Sequence, residues 1–220
     1  MGWETSEVAS VFDREAAYAA IQSVAAKLGV RATEAELLGP IADNAVFRVP
    51  GHVVARISTA STYERALREV RTGRWLAAQG VPAVKPLESA DLPWSVDGYV
   101  VTLWHEVPDA SMASTAELAN LLQQLHTVPV RSDFEIPLLD PLIRLEEHLA
   151  AADGALAHGD RRFLDEGLEQ LRQEYARVSP GLPVSVIHGD ANRKNAIRGR
   201  DGVAAWRALG RGDSGHSRAR

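Results

Sequence analysis

The 220-residue sequence predicts an α+β fold of two lobes, a small strand-rich half followed by a helix-rich half, with a cleft between them. Three observations carry that expectation. Short β-prone runs crowd the first 104 residues, apolar stripes at helical spacing take over from Leu118 to Val178, and one extended stretch joins the two regimes. With 45% hydrophobic residues, the chain can fill a core of that size.

Taken in order, Asp13 can cap an alanine-rich helix in which Ala16, Ala20, Val24 and Leu28 recur every fourth position until Gly29. Residues 45–49 and 53–57 are β-prone runs separated by Pro50 and Gly51, the punctuation of a hairpin. Helical character returns over 61–79, with Ala66, Val70 and Leu76 set among charges, and Gly80 and Pro82 end it. Residues 81–87 and 99–104 predict two further strands joined by a loop that carries Pro93, Asp97 and Gly98. Beyond 105–109, Leu118, Leu121, Leu122 and Leu125 mark one helix, Leu142, Leu145 and Leu149 a second, and 161–178 a third.

Composition narrows the chemistry. There are no cysteines, which removes disulfides, thiolate nucleophiles and cysteine metal sites and fits a reducing compartment, so a cytoplasmic protein is expected. The N-terminus has neither a basic start nor an apolar run, and no stretch reaches the roughly 20 apolar residues that span a bilayer. Net charge is −5, with no continuous basic stripe to track a phosphate backbone, so neither a membrane nor a nucleic acid is the expected partner.

The chemistry concentrates at residues 188–195, HGDANRKN, directly after the apolar run 184–187. A strand that ends in this loop sets Asp190 and Asn195 close together. Phosphoryl transfer from ATP needs a carboxylate to accept the proton of an attacking hydroxyl, and oxygen ligands that hold Mg²⁺ against the phosphates. Asp190 suits the first task and Asn195 part of the second, since Mg²⁺ keeps several waters and accepts a neutral oxygen if phosphates and a carboxylate complete its shell. In isolation Asp190 also reads as a turn aspartate. A second HGD, at 158–160, has Asp165 where the first has Asn195, and Asp160 reads there as a cap for the helix that follows.

HGDxxxxN after an apolar strand resembles the catalytic loop of the aminoglycoside phosphotransferase and choline kinase-like family, relatives of the protein kinases. The resemblance covers about residues 35–198. It implies a bilobal protein kinase-like fold: a nucleotide-binding lobe with its leading helix over 1–103, a hinge at 104–110 and a helical catalytic lobe over 111–198. It further implies ATP and Mg²⁺ as cofactors and a small molecule with a hydroxyl group as acceptor. Carried across residue by residue, it makes Asp190 the catalytic base and Asn195 a metal ligand. Arg56, in VVARI, takes the place of the phosphate-contacting lysine, and arginine keeps the charge in a different, forked geometry. Glu69 becomes its helical partner, with Glu64 as fallback. Asn44 lies in the turn over the phosphates, and Trp104, Glu106 and Val107 in the hinge that meets the adenine edge.

The resemblance breaks after Arg198. The family places a metal-binding aspartate on a further strand, in an I-D-W or I-D-F context, and helices beyond it. Here RGRDGVAAWRALGRGDSGHSRAR follows, with six arginines against two aspartates over 198–220. Arginine outnumbers lysine 21 to 3, a sign of GC-rich coding DNA, which out of frame yields Arg, Gly, Ala and Ser. The expectation is a frameshift near 203–209 and an atypical, disordered tail over 199–220. The sequence thus leaves two readings open: an ATP-dependent small-molecule phosphotransferase, or an impaired remnant that at most binds nucleotide. It fixes neither the acceptor nor the oligomeric state.

Overall fold

A computed structural model describes residues 14–42, 44–88, 91–130, 136, 139–152, 154–178, 183–202, 204–206 and 217–219. Helix α1 (Arg14–Leu28) follows the predicted fourth-residue spacing, and it buries Ala17, Ala20, Ile21 and Val24. Asp13, the expected cap, lies outside the described residues. The alanines on this face let the helix approach a sheet closely, and Tyr18 meets Phe47 edge-on at 5.3 Å between ring centroids.

That sheet is antiparallel, in the order β1 (Glu36–Leu37), β2 (Asn44–Val49), β3 (Val53–Thr59), β5 (Tyr99–His105), β4 (Trp94–Val96). Alternation assigns its two faces. Phe47 pairs with Ala55 and Ala55 with Leu103, and all three are buried in one cluster with the α1 alanines. On the opposite face Val46 pairs with Arg56 and Arg56 with Thr102, while Val54 pairs with Trp104. Helix α2 (Tyr63–Ala78) lies over this second face, where it meets Arg56 through Glu69 and Trp104 through Gly73.

Two sequence expectations need correction here. Residues 81–87 form no named strand: Pro82 and Pro86 lack the N–H groups a ladder requires, and only single bridges form, Ala83 to Trp206 and Pro86 to Trp104. The stretch expected to be loop instead supplies β4, because Asp97 (φ 48°) and Gly98 (φ 80°) form a two-residue hairpin turn between Val96 and Tyr99. β1 is a further addition, with Leu37 opposite Phe47.

The second lobe holds α3 (Thr115–His126), α4 (Ile143–Ala151) and α5 (His158–Arg177), then β7 (Ser185–Ile187). β6 (Ser111–Met112), β8 (Ala196–Arg198) and β9 (Ala204–Trp206) make a small antiparallel sheet, and β10 (Ser217–Ala219) pairs with β7. Past Arg198 the described residues include β9, in which Trp206 is fully buried. Its cluster takes Trp75 and Leu76 from α2, Val81 from the segment after it, Leu121 and Leu125 from α3, and Val186 from β7. Both lobes thus share one core at Trp206. Helix α5 begins at His158, so Asp160 sits within its first turn and complements the helix dipole there rather than capping it. Among the described residues, no helix is long and apolar enough to cross a membrane.

Candidate active site

The loop 188–195 is set by what precedes it. β7 buries Val186 while Val184, expected within the strand, is half exposed just before it. His188 is buried against the Trp206 ring, with centroids 4.2 Å apart. Gly189 then takes φ 77°, a conformation open to glycine that swings the chain out of the strand. Asp190 N–H donates to His188 Nδ1 at 3.3 Å, so the histidine serves as a brace through its acceptor nitrogen.

Asp190 and Asn195 come together as expected. Asn195 is buried at the end of a single 3₁₀ turn, Arg193–Asn195. Its Nδ2 donates to the Asp190 main-chain oxygen at 2.8 Å and to Asp190 Oδ2 at 2.9 Å. Asn192, which the sequence did not single out, donates from Nδ2 to Asp190 Oδ1 at 3.0 Å. Each carboxylate oxygen therefore accepts one amide bond. A carboxylate has about four acceptor positions, so capacity for a substrate hydroxyl remains.

Across the cleft, Arg56 Nη1 donates to Glu69 Oε2 at 2.6 Å. The pair is desolvated, with the Glu69 side chain 7% and the Arg56 side chain 20% exposed. Burial pushes the Glu69 carboxyl above its usual range, opposed by the charges of Arg56 and then Arg65. Glu69 Oε1 is buried without a hydrogen-bond partner among the described residues. The bond to Glu69 uses one guanidinium nitrogen, which leaves the rest of the fork for an anion.

Trp104 and His105 complete β5, so the connection between lobes starts at Glu106. The Trp104 indole N–H donates to Thr102 Oγ1 at 2.8 Å. A Cβ on Gly73 would come within 3.2 Å of that ring and 3.1 Å of Pro86, so the bare glycine is what lets Trp104 lie against α2. The Glu106 N–H is occupied by the His52 carbonyl at 2.8 Å, and its side chain pairs with Arg48 at 2.5 Å. Glu106 can therefore meet an adenine edge through its carbonyl and not its N–H. Val107 packs against Gly199, whose Cβ would approach its Cγ1 to 2.9 Å, so the turn after β8 braces the hinge. Asn44 starts β2 on the same face as Arg56, and the turn before it includes residue 43, outside the described set. The Arg56–Glu69 and Asp190–Asn195 pairs share no hydrogen bond.

A profile described as the phosphotransferase enzyme family matches residues 34–205. The chain belongs to that family. Membership places it, by family, among small-molecule kinases. No curated protein matches the sequence. Among solved structures, the aminoglycoside phosphotransferase APH(3'')-Id from Streptomyces rimosus is 21% identical over 91% of this chain and 77% of that one, with a TM-score of 0.59. The choline kinase LicA from Streptococcus pneumoniae is 16% identical over 84% and 65%, TM-score 0.58. The amicoumacin kinase hAmiN, solved with AMP-PNP and Ca²⁺, is 14% identical over 84% and 62%, TM-score 0.58. At such identities the likeness establishes the α+β, bilobal protein kinase-like fold. The chain spans under two thirds of the length of the latter two.

With Nδ2 turned into Asp190, Asn195 Oδ1 is left without a hydrogen bond among the described residues. Among those residues, no three or more Asp, Glu or His side chains gather as a cage. One free amide oxygen beside a carboxylate fits a cation that arrives on phosphates and keeps its waters, rather than a resident ion.

Proposed function

We propose that this chain binds ATP in the cleft and transfers its γ-phosphoryl group to a hydroxyl of a small polar molecule in the cytoplasm. The observation that carries the reading is the loop geometry, in which Asn192 and Asn195 each donate to one oxygen of the Asp190 carboxylate beyond the end of β7. The acceptor hydroxyl oxygen bonds to the γ-phosphorus as the bond to the bridging oxygen breaks. The electron pair leaves on ADP, and the hydroxyl proton passes to Asp190. Arg56, oriented by Glu69, presents its free N–H groups to the phosphates. Trp104, the Glu106 carbonyl and Val107 border the base, and Asn44 closes over the phosphates. Mg²⁺, when bound with the nucleotide, neutralises charge on the phosphate oxygens, and Asn195 Oδ1 is the ligand this chain offers it.

Division of labour follows the lobes: the first, through His105, binds nucleotide, 106–110 form the hinge and 111–198 hold the catalytic loop. Support for a nucleotide comes from relatives solved with AMP-PNP or ADP. The test is calorimetric titration of ATP, with and without Mg²⁺, into the chain and its Asp190→Ala and Asn195→Ala variants. The expected result is metal-enhanced binding that Asn195→Ala loses and Asp190→Ala largely keeps. A folded chain that binds no ATP would refute the reading. Binding without phosphoryl transfer to any hydroxyl acceptor would leave the nucleotide-binding remnant instead.

A further inference from the structure

Asn192, in the loop between Asp190 and Asn195, uses both ends of its amide. It has extended backbone (φ −144°, ψ 164°) and precedes the 3₁₀ turn that carries Asn195. At one end Oδ1 accepts the Lys194 N–H at 2.9 Å and caps that turn. At the other, Nδ2 donates to Asp190 Oδ1 at 3.0 Å and to the Asp190 main-chain oxygen at 3.2 Å. The Asn195 N–H also donates to the Asn192 carbonyl at 3.0 Å.

We propose that Asn192 is a positioning residue for the phosphoryl-transfer step: it fixes the rotation of the Asp190 carboxylate and ties it to the turn that places Asn195. The inference rests on the reading of Asp190 as the base. A carboxylate held at Oδ2 alone can swing about that one bond. Held at Oδ1 by Asn192 and at Oδ2 by Asn195, it keeps its remaining acceptor positions aimed one way, and such fixed placement is where rate is gained. Side-chain chemistry sets the requirement. Capping alone asks only for an acceptor, which serine and aspartate also provide. Aspartate would set a second carboxylate against Asp190 Oδ1, and serine is too short to reach it. Asparagine joins acceptor and donor in one short, planar group.

The two roles separate in the variants Asn192→Asp and Asn192→Ser, both of which keep a cap, with Asn192→Ala as the variant that loses both. Melting temperature, nucleotide affinity, kcat and KM are measured on each. The expected result for Asn192→Asp and Asn192→Ser is near-native melting and nucleotide KM, with kcat down by about 100-fold. Unchanged kcat in Asn192→Asp overturns the proposal, as does a kcat loss that only tracks lost folding. A readout independent of turnover is the Asn192 side-chain amide in a ¹⁵N spectrum. Its protons should shift and exchange faster in Asp190→Ala, and an unmoved signal overturns the proposal. If the unaltered chain transfers no phosphate, the phosphotransferase reading fails, and the amide signal still decides whether Asn192 holds the carboxylate.

Discussion

At the scale of single residues, the Arg56–Glu69 pair shows how much of the cleft rests on one partner. Glu69 is buried, its Oε1 has no hydrogen bond among the described residues, and its Oε2 depends on Arg56. Removing one partner of such a pair strands a charge, which costs about 3–5 kcal/mol, whereas removing both costs much less. Arg56→Met should therefore destabilise the chain by about that amount near neutral pH. The pH dependence follows from the raised Glu69 carboxyl. The native state holds a proton that the unfolded chain releases earlier, so stability is fullest below the ordinary glutamate range. It falls as pH rises through the native value. Loss of Arg56 raises that value further, so the gap between Arg56→Met and the parent should narrow in acid, as urea denaturation across pH would show. A gap constant with pH would mean that Glu69 is not the group left exposed to the change. The burial of Glu69 was not legible in its surroundings, where a glutamate between arginines on a helix resembles a solvated surface residue. The family resemblance supplied its pairing with Arg56, which the structure forms, but it was silent on Asn192. An asparagine in a loop looks like a turn former, and its second bond depends on a carboxylate two residues earlier folding back.

At the scale of elements, the helices were legible because they advertise both period and ends. Ser114 opens α3 and accepts the Glu117 N–H at 3.2 Å, while Glu117 accepts the Ser114 N–H at 2.6 Å, a reciprocal capping box. Ser114→Ala should cost about 1 kcal/mol, read as a lower melting temperature. The Ser114 hydroxyl and N–H hold the Glu117 carboxyl below its usual range. Its contribution is therefore present above the ordinary glutamate value and lost as pH falls through the lower native one. The Ser114→Ala penalty should accordingly shrink at strongly acidic pH, whereas a penalty unchanged there would place the cap's value in the hydroxyl alone. The strands were less legible, and the reason is local. Residues 81–87 are extended and apolar enough to look like a strand, but prolines at 82 and 86 forbid a ladder, so the segment serves as a strap between lobes. Trp94–Val96 is only three residues long, too short for alternation to register, and its hairpin is signalled by Asp97-Gly98 alone.

For the whole molecule, the decisive residue lies in a region the sequence assigned to a tail. The run after Arg198 lacks periodicity, because a three-residue strand cannot display any, yet Trp206 fills the core common to both lobes. Its main-chain groups bond Pro82 O and Val84 N on the strap, and its ring covers His188 at the start of the loop 188–195. A side chain in that place makes unfolding of the lobes a single event. Trp206→Ala should cost about 3–5 kcal/mol, as large buried aromatics do when truncated. Trp206→Phe should cost far less, since it keeps a ring against His188 and deletes an indole N–H that is buried without a partner among the described residues. Urea unfolding followed by far-ultraviolet circular dichroism and by near-ultraviolet circular dichroism decides the matter. The two curves should coincide in the parent chain and shift together to lower urea in Trp206→Ala. If only one transition moves, the lobes fold independently and Trp206 serves the second lobe alone.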